Sequence, residues 1–239
     1  MKRKLTIAHL YATSMNLYGD TGNVIILQKR AEWRGIACTV IAVNEGDPLP
    51  KGVDIIVAGG GQDATQGSIE SDFLSRKAEL TKLVGSGCVM LMICGMYQLM
   101  GRKFVTQDGV EVTGLGILPI DTFGKPRRLI GNIVVDVEGI GRIVGYENHS
   151  GQTVLDEGAV SLGTVEKGYG NTEQGGQEGC RKNNVFGTYM HGPVLSKNPL
   201  LADELLSLAL ERQGNSSALG PLDDSLENTA HQHAMARPR

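Results

Sequence analysis

Cys94 closes an apolar run, Val89-Met90-Leu91-Met92-Ile93, and is followed by Gly95 and a helix-compatible stretch, Met96-Tyr97-Gln98-Leu99-Met100. That pattern predicts a thiol at a strand-to-helix turn. A buried strand delivers the residue, Gly95 lets the chain turn without a Cβ clash, and the helix start aims unpaired N–H groups at the sulfur. Such a setting favours thiolate over thiol, hence a nucleophile, where a cysteine without this context is more simply a small core hydrophobe. His191, in Gly187-Thr188-Tyr189-Met190-His191-Gly192-Pro193, follows what reads as the last strand. Strand ends in α/β folds open on a shared crevice. A cysteine and a histidine distant in sequence can meet there as a thiolate–imidazolium pair suited to attack on an amide carbonyl.

Three more segments could carry chemistry. Ala58-Gly59-Gly60-Gly61-Gln62-Asp63 follows an apolar run and reads as a loop whose N–H groups approach a ligand closely, half of an oxyanion hole. It lacks the Lys-Ser/Thr of a phosphate-binding loop. Pro126-Arg127-Arg128-Leu129 sets two guanidinium groups at a strand start, where one could clamp a carboxylate. Tyr146-Glu147-Asn148-His149-Ser150-Gly151 is a polar turn that either lines the crevice or closes a hairpin, and His231 and His233 receive no role.

The elements that must position these groups follow from periodicity. Apolar, β-branched runs at Leu5–Leu10, Cys38–Val43, Val53–Ala58 and Cys88–Ile93 are separated by enough chain for helices, expected at Asn23–Trp33 and Ile69–Val84. This is the signature of a parallel α/β sheet. From about Phe104 the chain turns strand-rich, with a hairpin turn at Gln107-Asp108-Gly109 and strands at Ile117–Ile120, Leu129–Val137, Arg142–Tyr146 and Val185–Tyr189. Pro199–Arg212 reads as an amphipathic helix, and residues 214–239, polar and without apolar period, as a flexible tail after a single domain over 1–213.

With 239 residues and a formal charge of −3 from interspersed charges, the chain offers no basic stripe for nucleic acid and no membrane anchor. The basic start, Met1-Lys2-Arg3-Lys4, precedes a stretch too short and polar for a signal peptide or a membrane span. Four cysteines without a CxxC pair indicate neither a disulfide framework nor a zinc site. The expectation is a cytoplasmic protein.

Taken together, Tyr18-Gly19-Asp20-Thr21-Gly22-Asn23, the Gly59-Gly60-Gly61 loop, Ile93-Cys94-Gly95-Met96-Tyr97-Gln98 and Gly187-Thr188-Tyr189-Met190-His191-Gly192 resemble the CobB/CobQ-type class I glutamine amidotransferases. The similarity covers nearly everything except the tail. It implies a flavodoxin-like, mostly parallel sheet flanked by helices, and hydrolysis of L-glutamine with Cys94 as nucleophile and His191 as base. It further implies Arg128, with Arg127 as the less favoured neighbour, on the glutamine, and the N–H groups of Gly60 and Gly95 on the oxyanion.

Within that family the short length, with no synthetase domain attached, resembles the GatD-type subunits of lipid II isoglutaminyl synthase. That implies a heterodimer with a MurT-like Mur ligase subunit that uses the ammonia to amidate D-glutamate of the peptidoglycan stem peptide. Lipid II, ATP and Mg²⁺ would then belong to the partner, with no cofactor or metal in this chain and a location at the inner face of the membrane. Service to another synthetase, as in corrinoid amidation, and a non-catalytic scaffold are the alternatives. Two departures stand out: Met92 and Met96 occupy positions where many relatives carry glycine, and Pro193 stands where many carry an acid. No acid is therefore visible to orient His191, and the expectation is that the partner supplies one, with Glu147 as the internal alternative.

Overall fold

Two short strands made wholly of buried apolar residues, Ile55–Ala58 and Val89–Ile93, form the centre of the molecule, as strands covered on both faces must be. The computed structural model describes residues 3–17, 19–61 and 63–238, and not the side chains of 63–65. Tyr18 and Gln62, which belong to two of the motifs above, lie outside the described residues. In chain order the first half holds β1 (Lys4–Leu10), α1 (Thr21–Glu32), β2 (Ala37–Val43), β3 (Ile55–Ala58), α2 (Asp63–Ser75), α3 (Lys77–Gly85), β4 (Val89–Ile93) and α4 (Gly95–Met100). The second half holds β5 (Lys103–Val105), β6 (Glu111–Thr113), β7 (Ile120–Val137), β8 (Gly141–Leu155), β9 (Gly163–Lys167), β10 (Gln177–Glu178), β11 (Cys180–Lys182) and β12 (Val185–Thr188). A 3-10 turn at Val194–Lys197, α5 (Pro199–Arg212) and α6 (Ser225–Ala236) complete it.

The first sheet runs β11-β12-β4-β3-β1-β2, parallel except for β11. Its helices make the fold the mixed α/β type that the sequence implies. The second sheet, β10-β9-β7-β5-β6 with β8 on β7, is mostly antiparallel. The turn at Gln107–Gly109 does close a hairpin, with Gly109 at φ 82° between β5 and β6. Ile117–Ile120 is not a strand of its own; only Ile120 enters one, as the first residue of β7.

Two expectations need correction. The single helix over Ile69–Val84 is broken at Arg76, whose nearly buried guanidinium turns back to Asp72 and to the carbonyls of Asn44 and Asp47. The flexible tail is instead a strap ending in α6. Arg30, 2 % exposed, bonds both Asp203 of α5 and Asp224 at the start of α6. Lys167 donates to the carbonyls of Met235 and Arg237, and His231 pairs with the carbonyl of Lys197. These partners lie far away in sequence, which is why local composition does not reveal them. Arg30→Ala would leave Asp224 without its counter-ion beside Asp203, which keeps Arg34. We expect a loss of about 3 kcal/mol, read by denaturant unfolding, with faster proteolysis inside 214–239. Among the described residues no helix is long and apolar enough to cross a membrane.

Candidate active site

Adjacent strand ends bring the candidate groups together. β12 pairs with β4 in a register that sets Thr188 opposite Ile93, and the Cys94 N–H donates to the Thr188 carbonyl at 2.8 Å. β3 lies on the other side of β4, so the glycine loop leaves the sheet beside Cys94. Cys94 is the strained residue: φ 51°, ψ −108°, a left-handed conformation that costs energy for any residue but glycine. Gly95 does not take the positive φ. A Cβ there would sit 2.9 Å from Gln66 Nε2 and 3.0 Å from Met15 Cε, the ends of two flexible side chains that would have to shift. Met92 and Met96 are fully buried, so the turn accommodates them in the core.

The backbone of His191 is pinned by an antiparallel bridge to Tyr146, its N–H donating at 2.9 Å and its carbonyl accepting at 3.2 Å. Downstream, the Asn198 side chain clamps Val144 and the Val194 carbonyl. The imidazole and the cysteine meet over Gly60: a Cβ on that glycine would lie 2.8 Å from His191 Cε1, 3.2 Å from Cys94 Cβ and 3.7 Å from Asp20 Oδ2. Gly60 is thus demanded by side chains closing on the backbone, and Gly59 by the Met15 carbonyl and Asp20. Burial pulls the His191 pKa down, but the charge and sulfur of Cys94 and the neighbouring Asp20 carboxylate outweigh it and raise it to about 10. By contrast, burial pushes Cys38 up to about 11 and Cys88 and Cys180 up to about 12, leaving those thiols protonated near neutrality.

Asp20 is the residue that sequence reasoning missed. It is fully buried, its Oδ1 lies 3.7 Å from His191 Nδ1, and its Oδ2 accepts the Gly60 N–H at 2.7 Å. It stands at the N-cap of α1 yet makes no capping bond, because its carboxylate faces the glycine loop and the histidine. In sequence it stands three residues before the expected helix start, in a motif that carries the family resemblance but assigns it no role. Two corrections follow. A carboxylate of this chain, Asp20, stands beside His191, and Glu147 is engaged by the N–H groups of Tyr169 and Gly170. The Gly60 N–H is committed to Asp20 and so is not an oxyanion donor; Gly61, which lines the cleft, is the loop residue next to it.

The cleft in front of Cys94 has a volume of about 510 Å³, with Gln66, Gln98, Arg128, Asn148 and His149 among its walls. The register between β7 and β8 shifts between Gly124 and Leu129, so the Lys125–Arg128 segment leaves the ladder at a bulge beside the cleft. There the two arginines part. The Arg128 guanidinium is held by Asn148 Oδ1 at 2.8 Å and the Asn148 carbonyl at 3.1 Å, at the cleft wall. Arg127 instead stacks over Tyr169, 5.0 Å from the ring centre, and pairs with Glu173. The Tyr146–Gly151 segment is strand β8 itself, and its Asn148–Gly151 portion lines the cleft. Burial lowers the His149 pKa to about 3, so this ring, stacked on Tyr189 at 3.6 Å, is neutral. Among the described residues no group of three His, Cys, Asp or Glu could hold a metal ion.

Residues 6–199 match the model of the CobB/CobQ-like glutamine amidotransferase domain. The chain is 41% identical to the GatD subunit of the glutamine-hydrolysing lipid II isoglutaminyl synthase of Staphylococcus aureus, over 98% of this chain and 96% of that one. It is 38% identical to the subunit of the same name from Streptococcus pneumoniae, over 93% and 87%. A cobyric acid synthase of Rhodobacter capsulatus is 29% identical over 76% of this chain but only 37% of its own length. Among solved structures, a glutamine amidotransferase superposes with a TM-score of 0.60 at 18% identity, covering 84% of this chain and 98% of its own. One from Thermotoga maritima gives 0.55 at 13% identity, over 98% and 94%. At those identities the likeness is one of fold.

Proposed function

The chain belongs to the CobB/CobQ-like glutamine amidotransferase family, and on that premise we propose that it is the glutamine-hydrolysing subunit of a lipid II isoglutaminyl synthase. What carries the reading is the end-to-end match with two GatD subunits, against a match confined to a minor part of cobyric acid synthase. The convergence of Cys94, His191 and Asp20 around Gly60 supplies the chemistry.

In this reading His191 takes the thiol proton of Cys94, and the sulfur attacks the side-chain amide carbon of glutamine. The N–H groups of Gly61 and Gly95 hold the resulting oxyanion. The tetrahedral adduct expels its nitrogen, which takes the His191 proton and leaves as ammonia. A thioester on Cys94 remains. Water attacks it, giving a proton back to His191, and glutamate leaves as the thiol is restored. Asp20 keeps the imidazolium oriented throughout. The ammonia passes to a MurT-like Mur ligase partner, where ATP and Mg²⁺ serve amidation of the D-glutamate carboxyl of lipid II.

Arg128 faces the substrate carboxylate in this scheme. Arg128→Ala is expected to raise the glutamine KM by about 10- to 100-fold with a smaller change in kcat, the worth of one charged hydrogen-bonded contact. Arg127→Ala, on the Tyr169 side, should move KM by less than about threefold. Steady-state glutaminase kinetics decide both. For the function as a whole, the chain co-purified with a Mur ligase-like subunit should amidate lipid II in the presence of ATP and glutamine. A complex that releases ammonia but leaves lipid II unamidated would overturn the assignment of acceptor.

A further inference from the structure

Glu178, from the short strand β10, is fully buried beneath the segment that carries His191. Its Oε1 accepts the Thr188 hydroxyl and the Tyr189 N–H, both at 2.7 Å, and Thr188 Oγ1 in turn accepts the Met190 N–H at 3.0 Å. The end of β12 and the two residues that lead to His191 therefore hang from one carboxyl, Thr188 and Tyr189 directly and Met190 through Thr188. The Tyr189 ring continues the connection: it stacks on His149, and its hydroxyl meets Gln98 Nε2 at 3.2 Å and Thr153 Oγ1 at 2.6 Å. His149 and Gln98 are walls of the cleft. On the far side, Asn171 brackets Gly179 through its N–H and its carbonyl, both at 2.9 Å, and so fixes the strand end that bears Glu178.

We propose that Glu178 is a positioning residue for glutamine hydrolysis, acting through Thr188 and Tyr189 to set His191 against Cys94, and that its ionised form is the active one. The assignment rests on the glutaminase reading above.

A buried carboxylate with one unpartnered oxygen is a costly group to keep. Glu178 Oε2 has no partner among the described residues, which leaves that oxygen to take a proton. Burial raises its pKa to about 7, against the pull of the Thr188 and Tyr189 bonds. The titratable groups around it are Glu147 of β8, which raises it further, and His191, which lowers it. Tyr97 of α4 and Cys180 of β11 also feel its charge, but burial holds both neutral in this range. Above neutrality the carboxylate adds negative charge near the His191 imidazolium and accepts two hydrogen bonds firmly. Below it the proton weakens both effects.

The test is the pH dependence of glutamine hydrolysis by the full chain. Wild type should lose activity on the acid side with a midpoint near 7. Glu178→Gln, which keeps the oxygen but never ionises, should show kcat lowered by about fivefold at pH 8 and flat between pH 6 and 8, with the glutamine KM moved by less than about twofold. Thr188→Val removes a bond that favours the ionised form and should shift the midpoint upward, an independent check should the first variant fold poorly. An acid limb unchanged in Glu178→Gln, or unmoved in Thr188→Val, overturns the proposal while leaving the glutaminase reading intact. A wild-type chain that hydrolyses no glutamine overturns both.

Discussion

Cys94→Ser should reduce glutamine hydrolysis by at least about 10³-fold, because the residue forms and breaks the covalent bond to substrate. The substitution removes little else. Cys94 is 7% exposed, and its backbone, at φ 51°, is strained whichever side chain it carries. Serine keeps nearly the same volume, so unfolding curves should overlay. Cys38→Ser is the matched control: that thiol sits on β2 at the sheet edge, is held protonated by burial, and its loss should change activity by less than about twofold. Ammonia release measured on the three proteins gives the answer. Residual activity in Cys94→Ser within tenfold of wild type would remove the nucleophile from the account.

Asp20→Asn should cost about 10²-fold or more in kcat, in line with the loss of an orienting carboxylate behind a catalytic histidine. The amide oxygen can still accept the Gly60 N–H, so the loop is expected to stay in place while the charge behind His191 disappears. The pH profile adds a signature that misfolding would not produce. Burial lowers the His191 pKa, and Cys94 and Asp20 together lift it to about 10. Departure of ammonia needs the imidazolium, so wild-type activity should fall as pH rises through about 10, and in Asp20→Asn that alkaline limb should move to lower pH. Folding follows the same sign. A pKa raised above 6.5 contributes stability that is complete below pH 6.5 and is lost as pH rises through about 10.

The central strands, the α5 helix and the Cys94 turn are legible in sequence because each is specified locally. Val89–Ile93 is an unbroken apolar run of strand length, and Gly95 after Cys94 marks close approach. What escaped depends on contacts between distant segments. Asp20 stands in a motif that assigns it no role, and the packing of Gly22 against Pro193, where a Cβ would lie 2.2 Å from Pro193 Cγ, brings its loop to His191. The same contact explains how a chain with proline in place of the usual acid still presents a carboxylate. The strap over 214–238 has no apolar period because ion pairs and carbonyl contacts hold it, and α6 buries none of its residues. The family resemblance implies the Gly60 N–H on the oxyanion, but that N–H is spent on Asp20. Arg127 and Arg128 are equivalent in sequence and are separated only by the bulge in β7.

Labelling with a glutamine analogue that carries an electrophilic diazoketone in place of the side-chain amide tests the central claim most directly. Mass spectrometry of the intact and digested chain should find one adduct per molecule, on Cys94, suppressed by excess glutamine and strongly slowed in Asp20→Asn. An adduct distributed over Cys38 and other residues, or no glutamine-protected adduct on Cys94, would contradict the account.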